Sequence, residues 1–377
     1  MQFREISGNN ELKQKMMEIA DSGKMSHSIM LVEKPGCGAI GLATALVQYM
    51  ACPNRTPGKD SCGVCPTCKK IARGFHQDLH FVFPVNTSPL SSQKSEPRQI
   101  SRYFAEPFRE LLSTNPYFTE SDLYSHLQIE EKSGNINVAQ AKEILAQLSL
   151  KSYEGFNKYM IVWLPERMNE ETANRLLKIV EEPSPGTYFI FITHTPEKVL
   201  QTIRSRTLMM KVFGIESELI SKELCNRFGI TENEATIYAR ASGGSLGNAI
   251  RLCKEAGEGS VFYPIAQRLI QCRISKDLPG MLECADSIVE LGKERQKEFC
   301  RYLTNFYRKI LMEGIGLGSI SDTLPYEQPV ISMAGKTLSR TTIQKSVTAV
   351  EEAASDIESN ANSKIAFCHL VNLLYTV

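Results

Sequence analysis

Over residues 10–22 the apolar side chains Leu12, Met16 and Ile19 return every three or four positions, which predicts a helix with one buried face. Ser28-Ile-Met-Leu-Val32 breaks that period with a short continuous apolar run, the pattern of a strand buried on both faces. Leu79–Phe83, Tyr159–Leu164 and Thr187–Thr193 repeat it. Residues 41–50, 138–148 and 169–182 go back to helical spacing, the last stopped by Pro183. Strands without alternation, separated by helices, predict an α/β fold built on a parallel sheet with helices on both faces. After the fourth strand, the helix-length segment 195–206 ends in Ser205-Arg206.

From about Ile215 the strand signals fade. Residues 217–227 and 232–241 read as short helices, and Ser242-Gly-Gly-Ser245 leads into a further helix from Leu246. Residues 261–377 read as several helices interrupted once by the Gly/Ser-rich stretch 314–321. The expected organisation is a sheet domain over 1–212, a small helical domain over 213–258 and an all-helical domain over 259–377. One stretch interrupts the sheet domain, residues 86–135, beginning Asn86-Thr-Ser-Pro-Leu-Ser-Ser. An insertion of that length between a strand and a helix is expected to be peripheral, and the sequence assigns it no role.

Composition narrows the function. Of the 377 residues 42% are hydrophobic and 23% charged, as in an ordinary globular protein. The formal net charge of +1 argues against a chain that binds nucleic acid through its overall field. The start, Met1-Gln-Phe-Arg-Glu-Ile, lacks the apolar core of a signal peptide, and no run approaches the roughly 18 to 20 apolar residues that cross a bilayer. A cytoplasmic location with no membrane partner is the expectation. Of 11 cysteines, seven are scattered singly and read as small buried hydrophobes in a reducing compartment.

The chemistry starts after the first strand, at Glu33-Lys-Pro-Gly-Cys-Gly-Ala39-Ile40. A working phosphate loop, G-x-x-x-x-G-K-[ST] between strand and helix, wraps phosphates in backbone amides, neutralises them with lysine and holds magnesium through a hydroxyl. Pro35, Gly36 and Gly38 supply the tight turns here. Glu33 replaces the first glycine, Ala39 the lysine and Ile40 the hydroxyl, and a carboxylate at that point repels a triphosphate. The third strand of such an ATPase ends in two acids; Trp163 and Leu164 stand there, with Glu166 two residues too late. The helix after Gly-Gly-Ser often begins with a phosphate-reaching arginine, and Gly247 occupies that position. No functional ATP site is therefore expected.

Cys52-x9-Cys62-x2-Cys65-x2-Cys68 forms a zinc module over 52–70: four thiolates in short turns suit a tetrahedral structural zinc, with an iron–sulfur cluster the alternative. Four protein ligands leave no open position for a catalytic water. The adjoining Lys69, Lys70 and Arg73 read as a solvated helix face. At the edge of the sheet domain, Arg206 next to Ser205 has the reach to stabilise charge at a neighbour's phosphates, with Arg204 the competitor.

These segments together resemble the clamp-loader branch of the AAA+ ATPases. The resemblance is carried by Ser26-His-Ser, the altered loop, the four cysteines after the following helix, Leu148-Ser-Leu-Lys-Ser-Tyr-Glu-Gly155, Ala173-Asn-Arg-Leu-Leu-Lys-Ile-Val-Glu-Glu-Pro183 and Ile203-Arg-Ser-Arg-Thr207. It covers residues 1–85 and 136–250, while the last third matches only in length and helical character. The family motif is usually Ser-Arg-Cys, and Thr207 departs from it. The resemblance implies an AAA+ type sheet domain with an embedded zinc module, a helical lid domain and a helical collar that holds a ring together. It implies a non-hydrolysing subunit that helps load a sliding clamp onto primed DNA and gives Arg206 as an arginine finger in trans. The implied partners are the gamma/tau ATPase subunits, the delta subunit, the clamp and DNA. Competing readings are an ATPase with an atypical site, a zinc-dependent nucleic-acid-binding protein and a thiol redox enzyme using Cys62 and Cys65.

Overall fold

The computed structural model describes residues 1–86, 100–129, 133–150, 157–258, 261–318, 321–359 and 361–376. The start of the insertion and most of the Leu148–Gly155 motif lie outside the described residues. By packing, the chain divides into two compact units: residues 1–129, 133–223 and 243–248, and residues 224–242 and 249–377.

The first unit is built on five parallel strands, β1 Ser28–Val32, β2 Leu79–Val82, β3 Lys158–Trp163, β4 Thr187–Thr193 and β5 Leu208–Lys211, in the order β2-β3-β4-β1-β5. Register pairs Met30 with Phe191 and Met160 with Phe189. These side chains share one face of the pleat and pack on α6 Val138–Ser149 and α7 Glu170–Glu181 through Ile144, Leu148, Leu176 and Val180. Side chains of the other parity, Ile29, Leu31, Ile161, Ile190 and Ile192, are buried on the opposite face. There α2 Ala39–Ala51 packs on β3 and β4, with every residue but Met50 buried. The amphipathic α1 Asn10–Asp21 covers α2 through Met16 and Met17. The predicted strands and helices of this half thus form, and the sheet is parallel throughout.

Two features differ from the sequence reading. Residues 195–206 are not one helix: a 3-10 turn at Pro196–Lys198 precedes the single turn α8 Gln201–Arg204. The strand β5 follows at once, with Leu208 and Met209 exposed on the sheet edge. Nor is the insertion peripheral. Its helices α4 Ala105–Thr114 and α5 Glu120–His126 bury Phe104, Phe108, Tyr117, Phe118 and Leu123. Phe108 stacks on Phe83 just beyond β2 (4.2 Å), and Phe118 meets Trp163 at the end of β3 edge-on (5.2 Å). Aromatic burial of this kind holds a long connection to a sheet without hydrogen-bonding it into the ladder.

The second unit is helical: α10 Glu232–Ala241, the distal parts of α9 Ser217–Phe228 and α11 Leu246–Glu258, and α12 Phe262–Ser275, α13 Leu278–Val289, α14 Lys293–Gly314, α15 Gln328–Thr337, α16 Arg340–Glu358 and α17 Ser363–Thr376. Its core runs through Leu269, Met281, Phe299, Leu303, Ile310, Val350 and Leu370. Glu327, 0% exposed, accepts from Tyr302 Oη at 2.7 Å and from Lys309 Nζ at 2.5 Å. Among the described residues no helix is long and apolar enough to cross a membrane.

Candidate functional site

In open parallel sheets the carboxyl ends of the strands form the binding crevice, and the altered loop lies there, between β1 and α2. Gly36 and Gly38 take the left-handed φ values of +81° and +94° that let the chain turn back over its own strand. The first amide of α2, Ala39 N–H, does not face open space: it donates to Glu33 Oε2 at 2.9 Å. The residue read from sequence as a repulsive intruder is the anion at the helix N-terminus, where the helix dipole favours negative charge. Glu33 is itself buried, and its other oxygen lies 3.5 Å from His194 Nε2 at the end of β4. Burial alone lowers the pKa of His194; the contact with Glu33, with Glu166 and Glu120 behind it, outweighs that and raises it.

The surroundings of the loop are apolar or already bonded. Trp163 is 1% exposed and meets the His194 ring edge-on at 5.9 Å. Glu166 accepts from Thr193 Oγ1 at 2.7 Å and from the amide of His194 at 2.9 Å, which fixes the end of β4. On the far side, Ser245 Oγ donates to Pro35 O at 2.8 Å and Gly247 N–H to Gly36 O at 3.0 Å. Cys37 Sγ lies 3.6 Å from Gly244 O, and burial, then the Glu33 charge, pushes its thiol up to about 12. A Cβ on Gly247 would lie closer than 3.0 Å to the carbonyl oxygen of Tyr117, so no side chain fits where the sequence comparison looked for an arginine.

Arg206 lies away from this crevice, after α8. It is exposed, ion-paired with Glu181 on α7, and donates from Nη1 to Thr202 O at 2.9 Å. Ser205 is also exposed, and its Oγ donates to Thr202 O at 3.2 Å. Arg204 is half-buried and turns inward to Pro196 O at 3.2 Å.

The four cysteines meet. Cys52 closes the end of α2, Cys65 caps α3 Pro66–Ala72, and all four Sγ atoms lie within 4.8 Å of one another. Cys62 Sγ and Cys68 Sγ are 3.8 Å apart, the sulfur–sulfur edge of about 3.8 Å that a zinc–sulfur bond of roughly 2.3 Å requires in a tetrahedron. Backbone amides of Cys62, Cys65 and Cys68 each point at the preceding ligand sulfur at 3.4 Å, an arrangement that suits thiolate. The amides of Cys65 and Val64 lower the Cys62 thiol to about 6, while burial raises Cys52 and Cys68. The donor set therefore fits one soft divalent cation, with Cys52, Cys62, Cys65 and Cys68 as its ligands.

Sequence reasoning singled out the loop, the cysteines and Arg206, and the structure brings the four cysteines together. It missed Glu33 as an internal ligand, and it missed Tyr117 and His194. The only local signal for Glu33 was a carboxylate six residues before a helix whose own first turn carries no acid.

The family model of the DNA polymerase III delta subunit matches residues 8–215. The chain is 24% identical over 375 residues to the DNA polymerase III subunit delta-prime of Bacillus subtilis, covering 97% of both chains. It is 27% identical over 187 residues to the subunit delta-prime of Yersinia pestis, 49% of this chain and 41% of that relative. Among solved structures it is similar to a DNA polymerase III gamma-subunit-related protein of Thermotoga maritima, at 15% identity and a TM-score of 0.43, covering 97% of this chain and 98% of that one. With the family model spanning more than half its length and the Bacillus subtilis delta-prime subunit matching 97% of it, the chain belongs to the delta-prime family of DNA polymerase III clamp-loader subunits.

Proposed function

We propose that this chain is the non-hydrolysing member of the clamp loader, a fixed subunit that lends Arg206 to the ATP site of an adjacent gamma/tau subunit. The observation that carries the reading is the contrast within one unit: the amide that opens α2 is bonded to Glu33, while Arg206 stands exposed beside Ser205. A loop without lysine, hydroxyl or strand-end acids has nothing to neutralise a triphosphate or position magnesium, whereas a guanidinium needs only reach to act in trans. Arg204, turned inward to a carbonyl, is the weaker candidate. Residues 1–212 act as the AAA+ type domain, 213–258 as lid and 259–377 as collar, with zinc at the four cysteines as a structural clip. The delta subunit, the sliding clamp and primed DNA are partners through the assembled complex, in the cytoplasm.

The test is clamp- and DNA-stimulated ATP hydrolysis by the reconstituted complex, wild-type against Arg206→Ala, after assembly of both is verified. Removing an arginine finger costs on the order of a thousandfold at the interface it serves. The isolated chain hydrolyses nothing. An unchanged rate in the variant complex refutes the role of Arg206, and turnover by the chain alone refutes the reading as a whole.

A further inference from the structure

The inserted segment brings one turn, residues 115–118, onto the phosphate loop. Tyr117 at its centre is 1% exposed. Its ring lies so close over Gly38 that a Cβ there would meet Cε1 at 2.7 Å. Its hydroxyl accepts from Ser7 N–H at 2.6 Å, and its carbonyl oxygen faces Gly247. Pro116 lies over Gly41 in the first turn of α2, 3.2 Å from where a Cβ would stand, with Ile6 Cδ1 nearer at 2.6 Å. Phe118 continues the turn onto Trp163. Glycines at 38 and 247 are thus explained by the approach of this turn as much as by the loop itself, and Gly41 by Ile6 and Pro116 together.

We propose that residues 115–118 are a built-in occupant of the crevice that an intact phosphate loop would offer a nucleotide, with the Tyr117 ring over the loop and the Glu33 carboxylate in the place of a phosphate. Nucleotide is then excluded by occupancy as well as by missing charge, and putting back the lysine and hydroxyl alone does not restore binding. The insertion acquires a role: it keeps the loop and residues 243–248 bonded to one another without ligand. A planar ring against glycine backbone, a hydroxyl held by the Ser7 amide and Phe118 edge-on to Trp163 give the turn three independent anchors.

The inference rests on the non-hydrolysing reading only in treating this crevice as a nucleotide site, and its test uses the isolated chain. It can therefore fail while the clamp-loader role stands, and the reverse. Cys37, 1% exposed between the two glycines that Tyr117 abuts, is the reporter. Iodoacetamide labelling at Cys37, followed by peptide mass spectrometry, is compared in wild-type, Tyr117→Phe and Tyr117→Ala chains. Cys300, buried in the second unit, reports unfolding there, and hydrogen exchange over β1 and β4 reports unfolding of the first unit. The expected result is labelling on the order of tenfold faster in Tyr117→Ala, with Tyr117→Phe close to wild type and Cys300 unchanged. Equal labelling of Cys37 in all three overturns the proposal, as does Tyr117→Phe behaving like Tyr117→Ala. Should Tyr117→Ala unfold, hydrogen exchange of the wild-type chain decides. Residues 113–119 protected to the same degree as 34–42 support the occupant, and fast exchange of 113–119 over a protected loop refutes it.

Discussion

Gly247→Ala reads the packing at the loop through a sign rather than a size. Gly247 is the second residue of α11, and its φ is not in the left-handed region. By helix propensity alone, alanine there stabilises by about 1 kcal/mol. The structure predicts the opposite. The new methyl would lie under 3.0 Å from the Tyr117 carbonyl oxygen, 3.1 Å from Gly36 Cα and 3.2 Å from the Tyr117 carbonyl carbon. All three are backbone atoms, which cannot swing aside as a side chain can. Overpacking against such a wall costs about 1–3 kcal/mol. Displacing α11 to relieve it breaks the bond from Gly247 N–H to Gly36 O, a further ~1 kcal/mol. The net expectation is a loss of roughly 1–3 kcal/mol, opposite in sign to propensity. Because the chain has two units, a single melting curve is not a two-state measurement. Hydrogen exchange at residues 34–42 and 243–250 is the direct assay, with a control Gly→Ala at Gly229, where nothing lies within 4 Å but φ is +65°. A Gly247→Ala chain protected as well as wild type, or better, refutes the close approach of Tyr117 to α11.

Three further outcomes are expected. The purified chain carries about one zinc per molecule; Cys68→Ser, or a strong chelator, removes it and releases the 52–70 segment to proteolysis, whereas a metal-free wild-type chain of full stability would sink the zinc assignment. His194, whose pKa is raised by Glu33, contributes stability that is fully present below its ordinary value of 6.5 and is lost as pH rises through the higher folded value. Unfolding curves of wild type and His194→Gln should therefore differ more at the acidic end of that window than at its alkaline end, and a constant difference contradicts the pairing. Lys309→Met leaves the fully buried Glu327 without its cation and should destabilise the helical unit by about 3–5 kcal/mol in urea titration, while a loss below ~1 kcal/mol would mean that Tyr302 and the backbone satisfy the carboxylate alone.

Legibility followed burial. β1 and β4 could be bounded to the residue because both of their faces are covered, so their apolar runs are unbroken. β5 could not, because Leu208-Met-Met-Lys211 is a four-residue edge strand with only Met210 buried, too short to show a period. The four cysteine sulfurs do meet, and the cysteines stood out because a ligand set for one cation constrains spacing along the chain. The occupants of the crevice did not. Tyr117 is brought to Gly38, and Phe118 to Trp163, by the path of the chain, and nothing in their local pattern separates a core aromatic from one that covers a loop. Glu33 was visible as a charge but not as a partner: its effect depends on pointing back at Ala39, which six residues of sequence do not specify. Gly247 was noted for the side chain it lacks, and the structure supplies the reason in the backbone above it.

The strand order also sets a timetable for synthesis. β1 is an inner strand, yet both of its neighbours come late: β4 begins at Thr187 and β5 at Leu208, 155 and 176 residues after Val32 (187 − 32 and 208 − 32). At roughly 5–20 residues per second, a nascent chain waits on the order of 8–31 seconds with Ile29-Met-Leu31 unpaired on either side. Such an interval, spent with a bare apolar strand, is when chains aggregate or recruit chaperones. Fragments ending before residue 211 should be insoluble however well their helices form, and production of the sheet domain alone has to run past β5.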